Sequence, residues 1–445
     1  MTRAPLSWFG IIRLGLVQTA LGAIVVLITS TINRVMVVEL AMPAMLPGIL
    51  VGWHYAIQLL RPRWGFGSDR SGRRTPWIIA GMAVLATGGI GAALATALLS
   101  FSPVLGTLAG FLAFTIVGIG VGAAGTSLLA LLASLVGEKR RAVAATVVWI
   151  MMIAGFAVTA GIAGKLLDPF SLTRLIQVTA AVSAGAVLVA ALALYGIEGR
   201  GHASPEAGKA LPKGTFKAAL AREWADPEAR RFAIFIFVSM LAYSAQDLIL
   251  EPFAGAVFAM TPGETTSLSG LQHGGVMTGM ILVALAGSGW FGPRLRSLRL
   301  WSILGCIVSA LALAGLSVAG FASAHWHLPA NVAVLGVGNG AFAVSAIGSM
   351  MGLAETGREA REGVRMGLWG AAQAIAFGLG GFLGTASADL ARHLLGSPLE
   401  AYASVFAGEA ALFLVSGVMA AGILAPRINA SPAAIAAPRN ATVTS

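Results

Sequence analysis

The stretch "YSAQDLILEPFAG", residues 243–255, places Asp247 and Glu251 four residues apart in an otherwise apolar run. On a helix that spacing puts both carboxylates on one face. In a low-dielectric setting such acids exchange a proton, pair with a cation, or accept hydrogen bonds from a neighbouring helix. A second polar group lies in "STINRVMVVELAMP", residues 30–43, which carries Asn33, Arg34 and Glu39. A third consists of His54 in "GWHYAI", preceded by Trp53, and His273 in "GLQHGGV", preceded by Gln272. Neutral imidazole is a common ligand for a metal held in a macrocycle. A lone membrane histidine is more often a hydrogen-bond partner between helices, and both readings stay open at the level of sequence.

The elements that carry these residues follow from composition. Of 445 residues, 57% are hydrophobic and 11% charged, with a mean hydropathy of +0.85. The charged share is roughly half that of an ordinary soluble domain, which leaves a membrane protein as the natural class. Cys306 is the single cysteine, so there is no disulfide framework and no thiolate metal site. The basic N-terminus leads into an apolar run far longer than a secretory h-region, which reads as a retained first span. Twelve apolar stretches follow, with cores near 14–38, 43–60, 76–100, 104–135, 143–165, 174–196, 231–256, 268–290, 301–322, 329–354, 364–388 and 402–424. Each is long enough to cross about 30 Å of hydrocarbon, where only a helix satisfies its own backbone.

The net charge of +11 does not point to nucleic acid, because the basic residues fall in short loops between spans and form no continuous stripe. With both termini cytoplasmic, all but Arg34, Lys165, Arg174 and Arg392 of the 29 Lys and Arg lie on the inner side. The polar segment 197–230 then separates a six-helix half, 1–196, from a second, 231–426, followed by a cytoplasmic tail, 427–445, of disordered character. The halves resemble each other. "VGIGVGAAGTSLLALLASLV" from 117 aligns without gaps on "LGVGNGAFAVSAIGSMMGLA" from 335, so Gly118, Gly120 and Gly122 match Gly336, Gly338 and Gly340 at an offset of 218. Trp149, Gly161 and Gly164 match Trp369, Gly381 and Gly384 at 220, and His54 and His273 are 219 apart. A parallel six-plus-six repeat is the pattern of the major facilitator architecture, so the expected fold is an all-α integral membrane protein of twelve transmembrane helices in two pseudo-symmetric halves. "GVGAAG" at 120 formally matches a dinucleotide fingerprint, but it sits inside a span with no strand before it and reads as close helix packing.

The loop after span two, "GFGSDRSGRR", resembles the cytoplasmic signature loop of the major facilitator superfamily through Gly65, Asp69, Arg70, Gly72, Arg73 and Arg74. In that family the loop latches the two halves together; the second-half counterpart "WFGPRLRSLRLW" lacks the Asp, so such a latch is asymmetric here. Counting 1.5 Å per residue from the inner surface places Arg34 about 30 Å and Asp247 about 24 Å along their helices. That depth suggests a charged closure at the outer end made by Arg34, Glu39, Asp247 and Glu251, with an ion pair from Arg34 to Asp247 or Glu251.

"NRVMVVEL" ending span one, together with "QDLILEPFAG" in span seven, resembles the bacteriochlorophyll-delivery branch of the major facilitator superfamily, the PucC and LhaA group, over about residues 11–424. The short "SDRSGRRTPW" after span two is most similar to the shorter member encoded among bacteriochlorophyll-synthesis genes. The resemblance implies a bacterial inner-membrane assembly factor, surrounded by membrane lipid. It would bind bacteriochlorophyll or a precursor and deliver it to light-harvesting or reaction-centre polypeptides, with pigment-synthesis enzymes as further partners and no nucleic acid. Under that reading His54 and His273 are candidate axial ligands to the pigment magnesium, with Trp53 and Gln272 beside them. The alternative is a secondary transporter of a small solute, proton-coupled or not. Coupling calls for an ionisable group near the midplane, and within the spans only Asp247, Glu251 and Glu409 are acids, with Glu409 the one that could lie deeper. Span five carries "AGFAVTAGIAG" in place of a Gly-Pro antiporter pattern, which favours delivery. No nucleophile–base arrangement, metal cluster or phosphate loop has support in the sequence, so an enzyme is not expected.

Overall fold

The computed structural model describes residues 6–61, 64, 68, 73–137, 140–198, 221, 224–287, 292–322, 326–355 and 362–423. Its apolar runs wind into helices because an intra-segment ladder is the only way a chain satisfies its backbone in hydrocarbon. In order they are α1 (Trp8–Glu39), α2 (Met45–Leu60), α3 (Thr75–Leu99), α4 (Pro103–Leu135), α5 (Arg141–Leu167), α6 (Leu172–Leu194), α7 (Pro227–Phe258), α8 (Pro262–Gly287), α9 (Leu298–Ala319), α10 (Leu328–Glu355), α11 (Glu362–Leu395) and α12 (Pro398–Ile423). Among the described residues, eleven are long and apolar enough to cross a membrane. The second is shorter than the expected full-length span over the described residues: its α-helical run has 13 residues and passes into a 3-residue 3₁₀ turn, after which Arg61, Trp64 and Ser68 are again helical. Pro43 before this helix lacks a backbone donor.

The chain is a multi-pass membrane protein whose two halves hold separate hydrophobic cores. One is built mainly on α1–α6 from aliphatic and small side chains around Phe114, with Leu248 of α7 packed into it. The other is aromatic: Phe232 stands 4.7 Å from Trp369, Phe235 6.2 Å from Phe342, and Phe253 5.0 Å from Phe406. The halves meet where α1 crosses α7, α2 crosses α11 and α5 crosses α8. Close approach marks the last two crossings: a Cβ at Gly270 would fall 2.8 Å from the Gly161 nitrogen, which requires glycine there, and one at Gly52, 218 residues earlier, would make a tight contact 3.2 Å from the Gly378 carbonyl oxygen. The repeat also recurs in the backbone. Ala41 after α1 and Ala259 after α7, again 218 apart, both adopt left-handed conformation, with φ 51° and 54°. Side chains other than Gly seldom sit there, so both turns are held by their surroundings.

Helix ends are closed by their own sequence. Ser7, Ser102, Ser171 and Ser297 accept from backbone N–H groups in the first turns of α1, α4, α6 and α9. At the end of the bundle that carries the termini, arginines close C-terminal turns: Arg13 donates to the Ala193 carbonyl of α6 at 3.0 Å, Arg74 to Ala130 of α4 at 2.8 Å, and Arg299 to Ala421 of α12 at 2.6 Å. These arginines are among the basic residues whose placement pointed to an inner side.

Within the signature loop, Gly65, Asp69, Arg70 and Gly72 lie outside the described residues. Arg73 and Arg74 are described, and they meet an acid that sequence reasoning overlooked. Glu198, just after α6, accepts from the Arg74 N–H at 2.8 Å and the Thr75 N–H at 2.8 Å, which caps α3 from the other end of the half. Burial pushes the Glu198 carboxyl up, but these N–H groups and the Arg73 charge outweigh it and hold it below the ordinary 4.5. A depressed carboxyl contributes stability that is complete above its unfolded value and is lost as pH falls through the folded one. Replacing Glu198→Ala is therefore expected to cost about 1 kcal/mol near neutrality. In thermal unfolding of detergent-solubilised protein the gap from the parent should close as pH falls below about 4; a gap that persists at low pH would assign the effect to packing.

Candidate functional site at the seam between the halves

The end of the bundle opposite the termini, here the distal end, is sealed by polar contacts from α1 to the second half. In its distal part α1 winds as π-helix over Leu27–Ile32 and Val35–Glu39, a geometry that often marks functional positions. Ser30, Thr31, Asn33 and Arg34 are all buried there. Ser30 donates to the Glu251 carboxylate and lies 3.0 Å from the Ser269 hydroxyl, Thr31 pairs with Thr266 at 3.0 Å, and Asn33 donates to the Leu248 carbonyl at 2.6 Å. Two of these are copies of one contact. Residues 30 and 33 correspond to 248 and 251 at the repeat offset of 218, so Asn33 on Leu248 and Glu251 on Ser30 are the two arms of the α1–α7 crossing.

Arg34 does not pair with Asp247 or Glu251 as its depth suggested. Its ion pair is to Glu39, five residues along the same helix, and its Nη2 donates to the Met260 carbonyl at 2.7 Å. The π-wound turn accounts for this: residues five apart, which diverge on an α-helix, are brought onto one side. Gly255 makes room, since a Cβ there would fall 2.9 Å from Arg34 Nη2. Arg34, Glu39 and Gly255 line a distal cavity of about 690 Å³ together with Asp168, Phe170 and Met260.

Asp247 is separated from this closure. One turn deeper than Glu251 and half-buried, it accepts from the Gln272 side chain of α8 and lies in the electrostatic reach of Tyr55 on α2, Tyr243 on α7 and Glu409 on α12. Tyr55 and Tyr243 both stand 5.8 Å from Phe377 of α11. His273 is half-buried on the same helix as Gln272, its ring edge-on to Phe156 of α5 at 5.0 Å and its Nδ1 2.9 Å from the Ser269 carbonyl. The structure thus brings Asp247, Gln272 and His273 to one seam.

It does not bring His54 there. His54 is buried inside the first half, Nδ1 2.6 Å from the Val51 carbonyl and ring 6.5 Å from Phe114. The two histidines occupy matching helices but face different ways, one into its own half and the other across the seam. Trp53 is exposed on the outer surface, its indole N–H on Thr115 at 2.8 Å.

Sequence reasoning also missed a second pair of distal contacts. Asp389 of α11 accepts from the N–H groups of Ala44 and Met45 at 3.0 and 2.7 Å, at the start of α2. Asp168, 221 residues earlier at the end of α5, accepts from the Thr261 hydroxyl at 2.9 Å, at the start of α8. There Thr261 and Glu264 form a reciprocal capping box. Each carboxylate therefore bridges the halves by sitting on a helix N-terminus of the opposite half, where a negative charge is favoured. The only sequence signal was an Asp at a span end, matched at the repeat offset.

Comparison with known proteins follows the same lines. A family model described as "PUCC protein" matches residues 31–428. The chain is 52% identical over 428 residues to the "Bacteriochlorophyll synthase 44.5 kDa chain" of Rhodobacter capsulatus, covering 95% of this chain and 97% of that one. It is 30% identical over 440 residues to "Protein PucC" of the same organism, covering 94% and 93%. Among solved structures, a crystal structure of the nucleoside transporter NupG superposes with a TM-score of 0.66 over 93% of this chain and 99% of that one, at 14% identity. That likeness shows the major facilitator fold and nothing of the cargo.

Removing either inter-half carboxylate should loosen the distal end. Each contact at a helix N-terminus contributes about 1 kcal/mol, so Asp389→Ala should shift the closed-to-open ratio about fivefold, and adding Asp168→Ala should shift it further. Spin labels at Ser100→Cys and Glu400→Cys, in a Cys306→Ser background, would read this by pulsed electron resonance as a longer, broader distance distribution. An unchanged distribution in the double variant would show that these contacts do not hold the closure.

Proposed function

Because the chain belongs to the PucC family, we propose that it is a membrane assembly factor that binds bacteriochlorophyll or a precursor and delivers it to light-harvesting or reaction-centre polypeptides. The observation that carries this reading is the 52% identity, nearly end to end, with a relative whose name ties it to bacteriochlorophyll. The one-sided distribution of Lys and Arg supports an inner-membrane location with both termini cytoplasmic. Pigment-synthesis enzymes are the natural source of the cargo. We read the chain as non-enzymatic, its part being to hold and release.

His273 is the residue best placed to hold a pigment. With Nδ1–H donated to the Ser269 carbonyl, Nε2 keeps its lone pair, the arrangement usual for a metal-ligating imidazole. The ring is half-buried, and a Cβ added at the adjacent Gly274 would meet nothing within 4 Å, so the site can be approached. When bound, the pigment supplies a Lewis-acidic magnesium that takes a nitrogen ligand. The chain supplies the rest: Phe156 orients the imidazole edge-on, Met152 and Met277 offer polarisable apolar surface, and Gln272 stays engaged with Asp247. His54 has the same Nδ1 arrangement but is enclosed by Tyr55 and Phe114, so we assign it to helix packing. Trp53, on the outer surface, faces lipid in this reading.

The second reading, transport of a small solute, is favoured by one observation: Glu409 is buried in the second half without a hydrogen-bond partner.

Protein purified from a pigment-producing host is expected to carry near-infrared absorbance, and colourless, folded protein would remove the basis of the delivery reading. His273→Leu should reduce bound pigment at least about tenfold while His54→Leu leaves it in place; the reverse pattern would move the ligand to the first half.

A further inference from the structure

Deep in the second half, Glu409 of α12 is 3% exposed and neither of its carboxylate oxygens has a hydrogen-bond partner. Gln246 of α7, next to Asp247, is fully buried, and both its amide oxygen and its amide nitrogen are unpartnered. Helix packing sets these two side chains level. The Phe253 ring of α7 meets Tyr402 at 5.8 Å and Phe406 at 5.0 Å on α12, and the two helices run antiparallel. Two turns back along α7 from Phe253 is Gln246; two turns on along α12 from Tyr402 is Glu409. Each lies on the face that makes the aromatic contact, because seven residues nearly complete two turns.

Among the described residues, the one charge shown acting on Glu409 is of its own sign. From α7, Asp247 acts on it at electrostatic range. From α9, Cys306 is a buried neutral thiol beside Gly417, two turns along α12, and Arg299 is spent on the Ala421 carbonyl at the helix end. From α11, the charged residues whose side chains are described, Asp389, Arg392 and His393, stand at one end. Asp389 is held by the α2 N-terminus, and Arg392 bonds the Tyr402 hydroxyl at 3.2 Å, about two turns from Glu409. An ionised carboxylate in this setting has neither donor nor counter-charge and costs several kcal/mol. Metal binding does not relieve it, because among the described residues no three His, Cys, Asp or Glu side chains converge. A proton relieves it without a cage of ligands: it removes the charge and creates an O–H donor for which the Gln246 amide oxygen is the matching acceptor.

We propose that Glu409 is a proton-binding site within the membrane span, with Gln246 as its hydrogen-bond partner and Asp247 as the neighbouring charge that sets its proton affinity. Binding adds one proton and changes no other bond. Asp247 lines the seam with Tyr55 of the opposite half, and Glu251 of the distal closure follows it by one turn of α7, so the charge carried by this helix links the Glu409 site to both. The inference does not rest on the pigment reading and its test uses no pigment.

Difference infrared spectroscopy of the full-length protein in detergent reads protonated carboxyl groups through their carbonyl stretch. At neutral pH the parent should show such a band, Glu409→Gln should lack it, and Glu409→Asp should shift it. Since a like charge nearby opposes ionisation, Asp247→Asn should weaken the proton affinity read from the band by about tenfold, one unit of pH. Size-exclusion profile and circular dichroism identify any variant that fails to fold, for which the Glu409→Asp shift serves instead. A parent without a band that responds to Glu409, or an Asp247→Asn titration identical to the parent's, would overturn the proposal.

Discussion

In hydrocarbon an unpaired backbone group or charge costs several kcal/mol, so the polar groups on this chain are driven to find partners within the protein, and buried groups left without one, such as Glu409 and Gln246, stand out. The helices are the first answer. Hydroxyls that face the interior fold back onto their own helix, as Thr96 does on Ala92, Ser239 on Phe235 and Ser345 on Ala341. Arginines at the terminal end close the carbonyls of neighbouring helices, and serines close N-termini. What cannot be satisfied inside one helix is exported to the seams, which is why the polar contacts between the halves are concentrated and specific.

The repeat multiplies each solution. A left-handed alanine ends α1 and again α7; a glycine admits the partner backbone on α2 and again on α8; an aspartate reaches a helix N-terminus of the other half from α5 and again from α11. Two copies of one half related by an approximate dyad place like contacts on either side of the α1–α7 crossing, so the distal closure is held symmetrically. Arg34 breaks that symmetry. Its repeat counterpart is Pro252, and the guanidinium is accommodated by a π-wound turn, Glu39 and the Met260 carbonyl.

That asymmetry organises the site. The first half contributes a cation at the distal end; the second contributes three buried or half-buried acids, Glu251, Asp247 and Glu409, at successive depths. Glu251 is spent on the closure, Asp247 faces the seam, and Glu409 lies behind it. His273 and Gln272 present the α8 face of the same seam. The bundle thus closes distally and gathers its polar groups just below that closure.

Much of this was legible in the sequence, because composition, span length and basic-residue placement are local and additive properties. They determined the membrane class, the helical elements and the six-plus-six repeat, and the motifs of spans one and seven pointed to the family. They also located the polar clusters, though not their pairings. Depth counting put Asp247 and Glu251 in one closure with Arg34, yet the rotation of α7 sends them to different neighbours, and π-winding gives Arg34 to Glu39. An offset of 219 made His54 and His273 look equivalent, whereas only His273 reaches the seam. Glu198, Asp168 and Asp389 carried no motif; their roles come from helix N-termini more than ninety residues away in the chain. Sequence periodicity determines which residues must avoid lipid, since that depends on one helix alone. Tertiary structure decides which partner each buried group finds, since that depends on how two helices rotate and cross.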